Sequence, residues 1–229
     1  TAGDLNAIDA GTSGVVSAAT VTALTGTASA VSAAYASSGI SGLGNEAVTL
    51  SDTVATALDL NAVNAATTGA VNMTSVLTVS GSLSDLTTTY TAAGFTGRGN
   101  EALTLSDTTV AASALTALDL LTTGVIDASS VTTVTGTLAA VAAVYASPGI
   151  SGLGNEAVTL SDTTATSTAL NALDLLTTGS INASSVTTVT GTSTAVAAAH
   201  TSSRAADATD AGCTTTAGQY DPRHAAHTR

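Results

Sequence analysis

The residues that could carry chemistry in this chain are mostly acids, and they recur at fixed positions. The chain has 229 residues with 16 acidic side chains, and its four basic residues are all arginine. Two sets of acids recur about every 55 residues, as in a tandem repeat: Asp52, Asp107 and Asp162, and Glu46, Glu101 and Glu156. Carboxylate oxygens are the ligands that calcium takes in proteins, so calcium binding is the first chemistry to test.

The spacing of the aspartates disfavours a shared calcium ion. If the chain stacks strands about 4.8 Å apart and Asp52 recurs at every second strand, its equivalents stand about 10 Å apart. One calcium takes about six to eight oxygens at about 2.3–2.6 Å, so no ion bridges two of them. We therefore expect helix capping, with Ser161 or Asp162 as the N-cap of the helix that follows. Calcium held by loop carbonyls stays open as an alternative, and no other cofactor is expected.

The remaining polar residues favour structural roles. Glu46 and its equivalents are expected to be solvated loop acids that can pair with a local amide. Asp9, Asp119 and Asp174 fall near helix C-termini, where the helix dipole disfavours them, and only solvation accounts for them. Tyr35, Tyr90 and Tyr145 end short helices and are expected to pack at the edge of the core. Arg98 stands where the other repeats have leucine, and we expect it to face solvent or to pair with Glu101.

No catalytic arrangement can be assembled from the repeats. Residues 1–199 contain no histidine, cysteine or lysine. The GxGxxA string at Gly42, Gly44 and Ala47 precedes a strand, whereas a dinucleotide-binding loop follows one, so it predicts a tight return loop. We assign no catalytic, cofactor-binding or metal-binding residue, and we expect a protein that is not an enzyme.

The elements that position these residues follow the same repeat. The string ISGLGNEAVTLSD at residues 40–52 returns at 95–107 and 150–162, and a second string, VTxLTG or a variant, starts at residues 21, 76, 131 and 186. Each unit divides into halves of about 27 and about 28 residues, a length typical of solenoid repeats, with one strand and one helix in each half. Seven strands are predicted, and they start at Val21, Val48, Val76, Leu103, Val131, Val158 and Val186.

These half-units predict an α/β repeat solenoid with a parallel sheet on one face and short helices on the other. Helices are expected over residues 138–145 and 163–176, and Val158 and Leu160 are expected to point inward. Four glycines are expected to end helices in the left-handed conformation: Gly14, Gly69, Gly124 and Gly179. A right-handed parallel β-helix is the alternative fold.

The repeat VTxLTGT…AVxxxYAS…GISGLGNEAVTLSDT resembles the tandem repeats of very large secreted or surface proteins of cyanobacteria and other bacteria. Its architecture is similar to that of leucine-rich repeats. The resemblance covers residues 1–200, a single solenoid of about three and a half units. It implies an extracellular or cell-surface location.

Residues 201–229 break the pattern. Three of the four arginines and the only cysteine, Cys213, lie there. We expect a non-repeat tail that is disordered or foreign to the fold, and we discount Cys213, His224 and His227 as site residues.

Charge and periodicity together limit the functions. A formal net charge of −12 excludes nucleic acid as a partner, since no set of cations can hold phosphates. No apolar run is long enough to insert into a membrane. We expect a structural or adhesive spacer that associates end to end or with neighbouring repeats. The alternative is a binding module whose Thr/Ser-rich sheet face meets polysaccharide or a cell surface. Ice binding and calcium-dependent assembly rank below these two.

Overall fold

The computed structural model describes the backbone of residues 1–201 and 212–215 and the side chains of residues 1–199. It is an α/β protein in which every strand pairing described is parallel. Of the expected tail, 201–229, only residue 201 and residues 212–215 are among those whose backbone is described. None of the helices in the described ranges has the length and apolar character needed to cross a bilayer.

Eight helices are described: α1 (Ala2–Ala10), α2 (Ala28–Ala36), α3 (Ala57–Ala66), α4 (Leu83–Thr91), α5 (Ala112–Asp119), α6 (Leu138–Ala146), α7 (Ser167–Asp174) and α8 (Ser193–Thr201). The helix expected over residues 138–145 is thus confirmed as α6. The one expected over 163–176 begins later, because Thr164–Thr166 forms a strand before α7.

Seven strands of four residues begin within two residues of the predicted starts: β2 (Ala23–Gly26), β4 (Ala47–Leu50), β7 (Thr78–Gly81), β9 (Ala102–Leu105), β12 (Thr133–Gly136), β14 (Ala157–Leu160) and β17 (Thr188–Gly191). The last described strand, β18 (Gly212–Thr215), also has four residues.

Shorter strands, which the sequence does not predict, lie between them. They are β1 (Val16–Ser17), β3 (Ile40–Ser41), β5 (Val54–Thr56), β6 (Val71–Asn72), β8 (Phe95–Thr96), β10 (Thr109–Ala111), β11 (Ile126–Asp127), β13 (Ile150–Ser151), β15 (Thr164–Thr166) and β16 (Ile181–Asn182).

The chain divides into two compact units. In the first, Thr1–Asp107 with Leu118–Asp127, one sheet has the order β2-β4-β6-β8, a second runs through β5, β7, β9 and β11, and β1 pairs with β3. In the second, Thr108–Ala117 with Ala128–Arg229, the sheets have the orders β10-β12-β14-β16 and β15-β17-β18. Within the first unit α1, α2, α3 and α4 pack in sequence order, as do α6, α7 and α8 within the second.

The division of each repeat differs from the nearly equal halves that the sequence predicts. Thr133 pairs with Ala157, and Thr188 pairs with Gly212, so paired residues lie 24 apart. The other half is longer, because β4 begins at Ala47 and the next four-residue strand begins only at Thr78. The longer half holds an additional strand, such as β5, directly before its helix.

In the longer strands whose side chains are described, the inward residues form the core, such as Leu24 of β2 and Val134 of β12. Val158 and Leu160 are 0% and 1% exposed, which confirms their inward direction. Leu60 of α3 and Leu170 of α7 are also buried. Each of the seven predicted strands ends in a glycine or leucine and is followed by a helix or a short strand. This regular occurrence of helices favours the strand-helix arrangement over the all-β alternative.

The four glycines expected to end helices in a left-handed conformation do not adopt it, because none of them has a positive φ. Gly69, Gly124 and Gly179 are required instead by a close approach of two backbone segments. A Cβ atom at Gly69 would stand 2.1 Å from the carbonyl oxygen of Glu46, and one at Gly124 would stand 1.9 Å from that of Glu101. The turn after the helix therefore lies directly against the loop of the preceding half-unit.

Candidate functional site

Each glutamate of the repeated loop is buried against a tyrosine from the helix before it. Glu46, Glu101 and Glu156 are 0%, 2% and 1% exposed. The Tyr35 hydroxyl donates to Glu46 Oε2 at 3.0 Å, Tyr90 donates to Glu101 Oε2 at 2.6 Å, and Tyr145 donates to Glu156 Oε2 at 3.1 Å. The expectation that these glutamates are solvated is wrong, because a tyrosine eleven residues earlier covers each carboxylate. We call each pair a Glu–Tyr node.

Loop amides complete the contacts of the same carboxylate oxygen. The amides of Gly44, Gly99 and Gly154 donate to Oε2 of the glutamate two residues later, at 2.8, 2.9 and 2.7 Å. The three glycines have φ between 126° and 138°, a region that disfavours other residues. The expected pairing of the glutamate with a local amide is therefore confirmed, and it explains why the loop carries glycine there.

Burial in the node also affects the tyrosines. Removal from water raises the pKa of Tyr35 and Tyr145 to about 12, and the hydrogen bonds to Glu46 and Glu156 act in the same direction. The pKa of Tyr90 is raised further, first by burial and then by Glu101. All three tyrosines therefore stay neutral and remain hydrogen-bond donors over the physiological pH range.

The chemistry open to a node is limited by its burial. A carboxylate beside a phenol could exchange a proton with a substrate, but general acid–base catalysis requires the group to reach that substrate. Oε1 of Glu46, Glu101 and Glu156 is buried and, within the described structure, has no hydrogen-bond partner. The arrangement holds the loop to the helix, and it offers no open position to a ligand.

The repeated aspartates cap helices, but not the helices that follow them. Asp162 Oδ2 accepts the amide of Leu138, the first residue of α6, at 2.6 Å. Asp52 and Asp107 accept the amides of Ala28 and Leu83 in the same way, at 2.8 and 2.6 Å. Each acceptor lies 24 residues after its donor, so the cap joins two successive half-units.

The N-cap of α7 is therefore neither Ser161 nor Asp162. It is Thr166, whose side chain accepts the amide of Ala169. The strand Thr164–Thr166 separates Asp162 from α7, and the Asp162 carboxylate accepts the amide of Leu138 in α6 instead. Capping as the role of Asp162 is confirmed, and the expected helix is wrong.

A third set of polar side chains, which sequence reasoning misses, also joins neighbouring half-units. Nδ2 of Asn6, Asn61 and Asn171 donates to a helix carbonyl 24 residues later, at 2.9, 3.0 and 3.1 Å. The acceptors are the carbonyls of Ala30, Asp85 and Ala195. The recurrence of asparagine at these positions is the signal that could have identified them, although the third repeat has Thr116 there.

Two further expectations need correction. Arg98 neither faces solvent nor pairs with Glu101: its guanidinium donates to the carbonyls of Thr89 (2.9 Å) and Ala92 at the end of α4, and it lies over the ring of Phe95. A cation is favourable at the C-terminal end of a helix. Asp9 is not merely solvated, because its carboxylate accepts the Ser37 hydroxyl at 2.6 Å.

No group of three or more metal-ligating side chains occurs among the residues whose side chains are described. Comparison with known proteins adds no candidate site: no family model, no curated protein and no solved structure matches this chain.

Proposed function

We propose that the chain is a non-catalytic structural repeat segment of an extracellular or cell-surface protein, in which the strand-helix half-units stack as a solenoid. One observation carries this proposal. The repeated polar side chains bond to the backbone of an adjacent half-unit or of their own loop, as Asp107 does to Leu83 and Asn61 to Asp85. Side chains that are fully used in holding successive turns together support a spacer or matrix role.

The pairing register supports the solenoid. The same separation of 24 residues recurs in the strand pairs, in the aspartate caps and in the asparagine bonds. Each turn then contacts mainly its neighbours, so stability is expected to be a sum of turn and interface contributions. The chain has no lysine and a net charge of −12, so its surface repels anionic polymers. This charge supports the proposed extracellular location.

The proposal can be tested by adding one repeat. A variant with a second copy of residues 111–165 inserted after residue 165 continues the repeat in phase. We expect a higher free energy of unfolding in urea and helix content that rises with length, because each added unit supplies its own interfaces. The matched control inserts residues 112–165, one residue shorter. The missing residue falls in the strand that spans the junction, equivalent to Thr164–Thr166, so that strand cannot keep its pairing register and also begin its helix at the right place. This control should therefore be less stable than the in-phase variant.

If the in-phase insertion leaves the free energy of unfolding unchanged or lowers it, the chain is not an additive repeat, and the spacer role loses its basis. Turnover of a polysaccharide by the unmodified chain would separately contradict the non-catalytic assignment.

A binding role is the second candidate, because outward residues of one sheet form a polar row. Thr25 pairs with Thr49, Thr49 with Asn72, and Asn72 with Thr96, each on a neighbouring strand. The three threonines of this row are exposed. Such a row suits a neutral polysaccharide, since the acidic chain repels anionic ones.

Co-sedimentation with insoluble neutral polysaccharides tests this role. Thr49→Val should reduce binding while Thr88→Val, an exposed threonine on α4 away from the row, should not. Equal binding by the two variants, or none by the unmodified chain, counts against it.

A further inference from the structure

Three exposed side chains near Leu77 are apolar, whereas the same positions of the two later repeats carry hydroxyl groups. Val54, Leu58 and Leu77 are 64%, 67% and 65% exposed. The residues at the same positions of the later repeats are also exposed, and they are Thr109, Ser113, Thr132, Thr164, Thr168 and Thr187. An exposed side chain adds little to the core, so this local change to apolar residues indicates a contact with another molecule.

The three apolar residues are neighbours in the first unit. The amide of Leu77 donates to the carbonyl of Thr53 at 2.9 Å, and the next residue, Val54, pairs with Thr78 of β7. Exposed and buried residues alternate from Val54 to Leu58, so these two side chains lie on one face of β5 and the first turn of α3. We call the surface formed by Val54, Leu58 and Leu77 the Leu77 patch.

Leu77 also costs the fold a hydrogen bond between successive half-units. At the same position of the later repeats, the hydroxyl of Thr132 donates to the carbonyl of Thr108 at 3.0 Å, and that of Thr187 to the carbonyl of Thr163 at 3.1 Å. Leucine has no hydroxyl to donate, and its exposed side chain gains no compensating burial. A residue that breaks a local rule without a gain inside the fold points to a functional position.

Two carboxylates lie beside the Leu77 patch. Asp59 directly follows Leu58, and the side chain of Asn61, three residues after Leu58 on α3, donates to the carbonyl of Asp85 in α4 at 3.0 Å. Neither aspartate has an ion-pair partner among the side chains described. The later repeats have alanine at both positions, namely Ala114, Ala140, Ala169 and Ala195. Apolar and acidic side chains therefore occur together in this repeat and are absent together from the later ones.

We propose that the Leu77 patch binds a short segment of another protein that presents an aliphatic side chain beside a lysine or arginine. The aliphatic group packs on Val54, Leu58 and Leu77, and the cation pairs with Asp59 or Asp85. A neutral polysaccharide brings no cation, and a second copy of this chain, with a net charge of −12, is repelled. Three side chains cover far less than the about 800 Å² per partner of a standard interface, so the segment is short.

Fluorescence anisotropy with the full chain and a labelled short peptide of alternating leucine and lysine tests the proposal. Two comparison peptides carry glutamate in place of lysine and serine in place of leucine. We expect the leucine-lysine peptide to bind at least tenfold more tightly than either. Added salt should weaken this binding, because charge pairs at a surface are screened.

The first variants replace patch residues by those of a later repeat, which fold at the same positions. The triple variant Val54→Thr, Leu58→Ser, Leu77→Thr should bind the leucine-lysine peptide at least tenfold more weakly, because it keeps the net charge but loses the apolar surface. Its free energy of unfolding should not fall, since Leu77→Thr supplies the missing hydroxyl. Leu175→Thr, at a leucine that is 85% exposed outside the patch, is the control and should bind the peptide as the unmodified chain does.

A second pair of variants tests the carboxylates. Asp59→Asn should weaken binding of the leucine-lysine peptide severalfold, whereas Asp4→Asn should not, although each removes one negative charge. Asp4 is the equivalent residue of α1, and α1 and α3 each pack on α2. A difference between the two variants therefore reports the position of the charge and not the net charge.

No binding of the leucine-lysine peptide, equal binding of the glutamate peptide, or equal binding by the triple variant and the unmodified chain would each overturn the proposal. None of these outcomes changes the result expected of the repeat insertion, which measures stability alone.

Discussion

The carboxylate of Asp107 accepts the backbone amide of Leu83, which lies 24 residues earlier in the chain, at 2.6 Å. Leu83 is the first residue of α4, and the first amides of a helix have no partner inside the helix. The helix is thus capped at one position by its own Ser82 and at another by the following half-unit. The Asp107 side chain therefore stabilises both the start of α4 and the contact between two successive half-units.

Replacing Asp107 by alanine should therefore lower the free energy of unfolding by about 1 kcal/mol, the usual cost of losing a cap. Asp107→Asn keeps an oxygen acceptor and should lose less. Urea unfolding followed by circular dichroism measures both variants. A loss that is equal in the two would mean that charge and not the hydrogen bond stabilises the site.

The period of the repeat predicts the elements well but not their register. The alanine-rich run after Gly136 predicts α6 nearly to its ends. Gly136 disfavours a longer strand, and the alanines that follow it favour a helix. The period fixes only the total number of residues in two half-units and not where one half-unit ends and the next begins. Val131 and Val158 look equivalent in sequence, yet Thr133 pairs with Ala157, because an additional strand lengthens the other half-unit.

The Glu–Tyr nodes show why the candidate site was harder to predict. Glutamate is rarely buried, so a solvated loop position is the ordinary expectation for Glu101. Its burial depends on Tyr90, which is on another element, and on the Gly99 amide, which turns back to the carboxylate. Tertiary contacts of this kind leave no mark in local periodicity.

Ser167 gives a prediction in the stabilising direction. Its hydroxyl is fully buried and is without a hydrogen-bond partner among the described residues. The equivalent residues of the other repeats are alanines, among them Ala57. Ser167→Ala should raise the free energy of unfolding by about 1–2 kcal/mol, because an unsatisfied buried hydroxyl keeps its desolvation penalty.

The reverse substitution is the control for Ser167. Ala57→Ser places the same hydroxyl beside Gly81, to whose position the Ala57 side chain already lies close. It should lower the free energy of unfolding by a similar amount in the same urea experiment. A stabilised Ala57→Ser variant would show that such a hydroxyl finds a partner.

Thr116 marks the repeat in which the asparagine bond between half-units is missing. Its hydroxyl bonds to the carbonyl of Ala112 in its own helix, whereas Asn171 reaches the carbonyl of Ala195 in the next one. Thr116→Asn should restore the bond, to the carbonyl of Ala140, and raise the free energy of unfolding by about 1 kcal/mol. Threonine and asparagine have similar helix propensities, so the helix itself contributes little to the change.

Asn171→Ala is the companion measurement, since it removes an existing bond of the same kind. It should lower the midpoint of urea unfolding. If Thr116→Asn has no effect while Asn171→Ala destabilises, the helices around Thr116 are spaced differently from those around Asn171.

The raised pKa values of the node tyrosines predict a loss of stability at alkaline pH. Folding holds Tyr35 and Tyr145 neutral up to a pKa of about 12, while in the unfolded chain they ionise near the ordinary value of 10.0. A group whose pKa is raised by folding contributes stability that is complete below its unfolded pKa and is lost as the pH rises through the folded one. The free energy of unfolding should therefore fall between about pH 10 and pH 12.

This alkaline transition is simple to assign because the chain has no lysine, and arginine stays charged throughout the range. Urea unfolding at about pH 8 and about pH 11 measures the fall directly. The double variant Tyr35→Phe, Tyr145→Phe should be less stable at the lower pH but should lose less on going to the higher one, since it cannot ionise at either node. A fall of the same size in the double variant would assign the transition to groups other than Tyr35 and Tyr145, such as Tyr90, whose pKa is also raised.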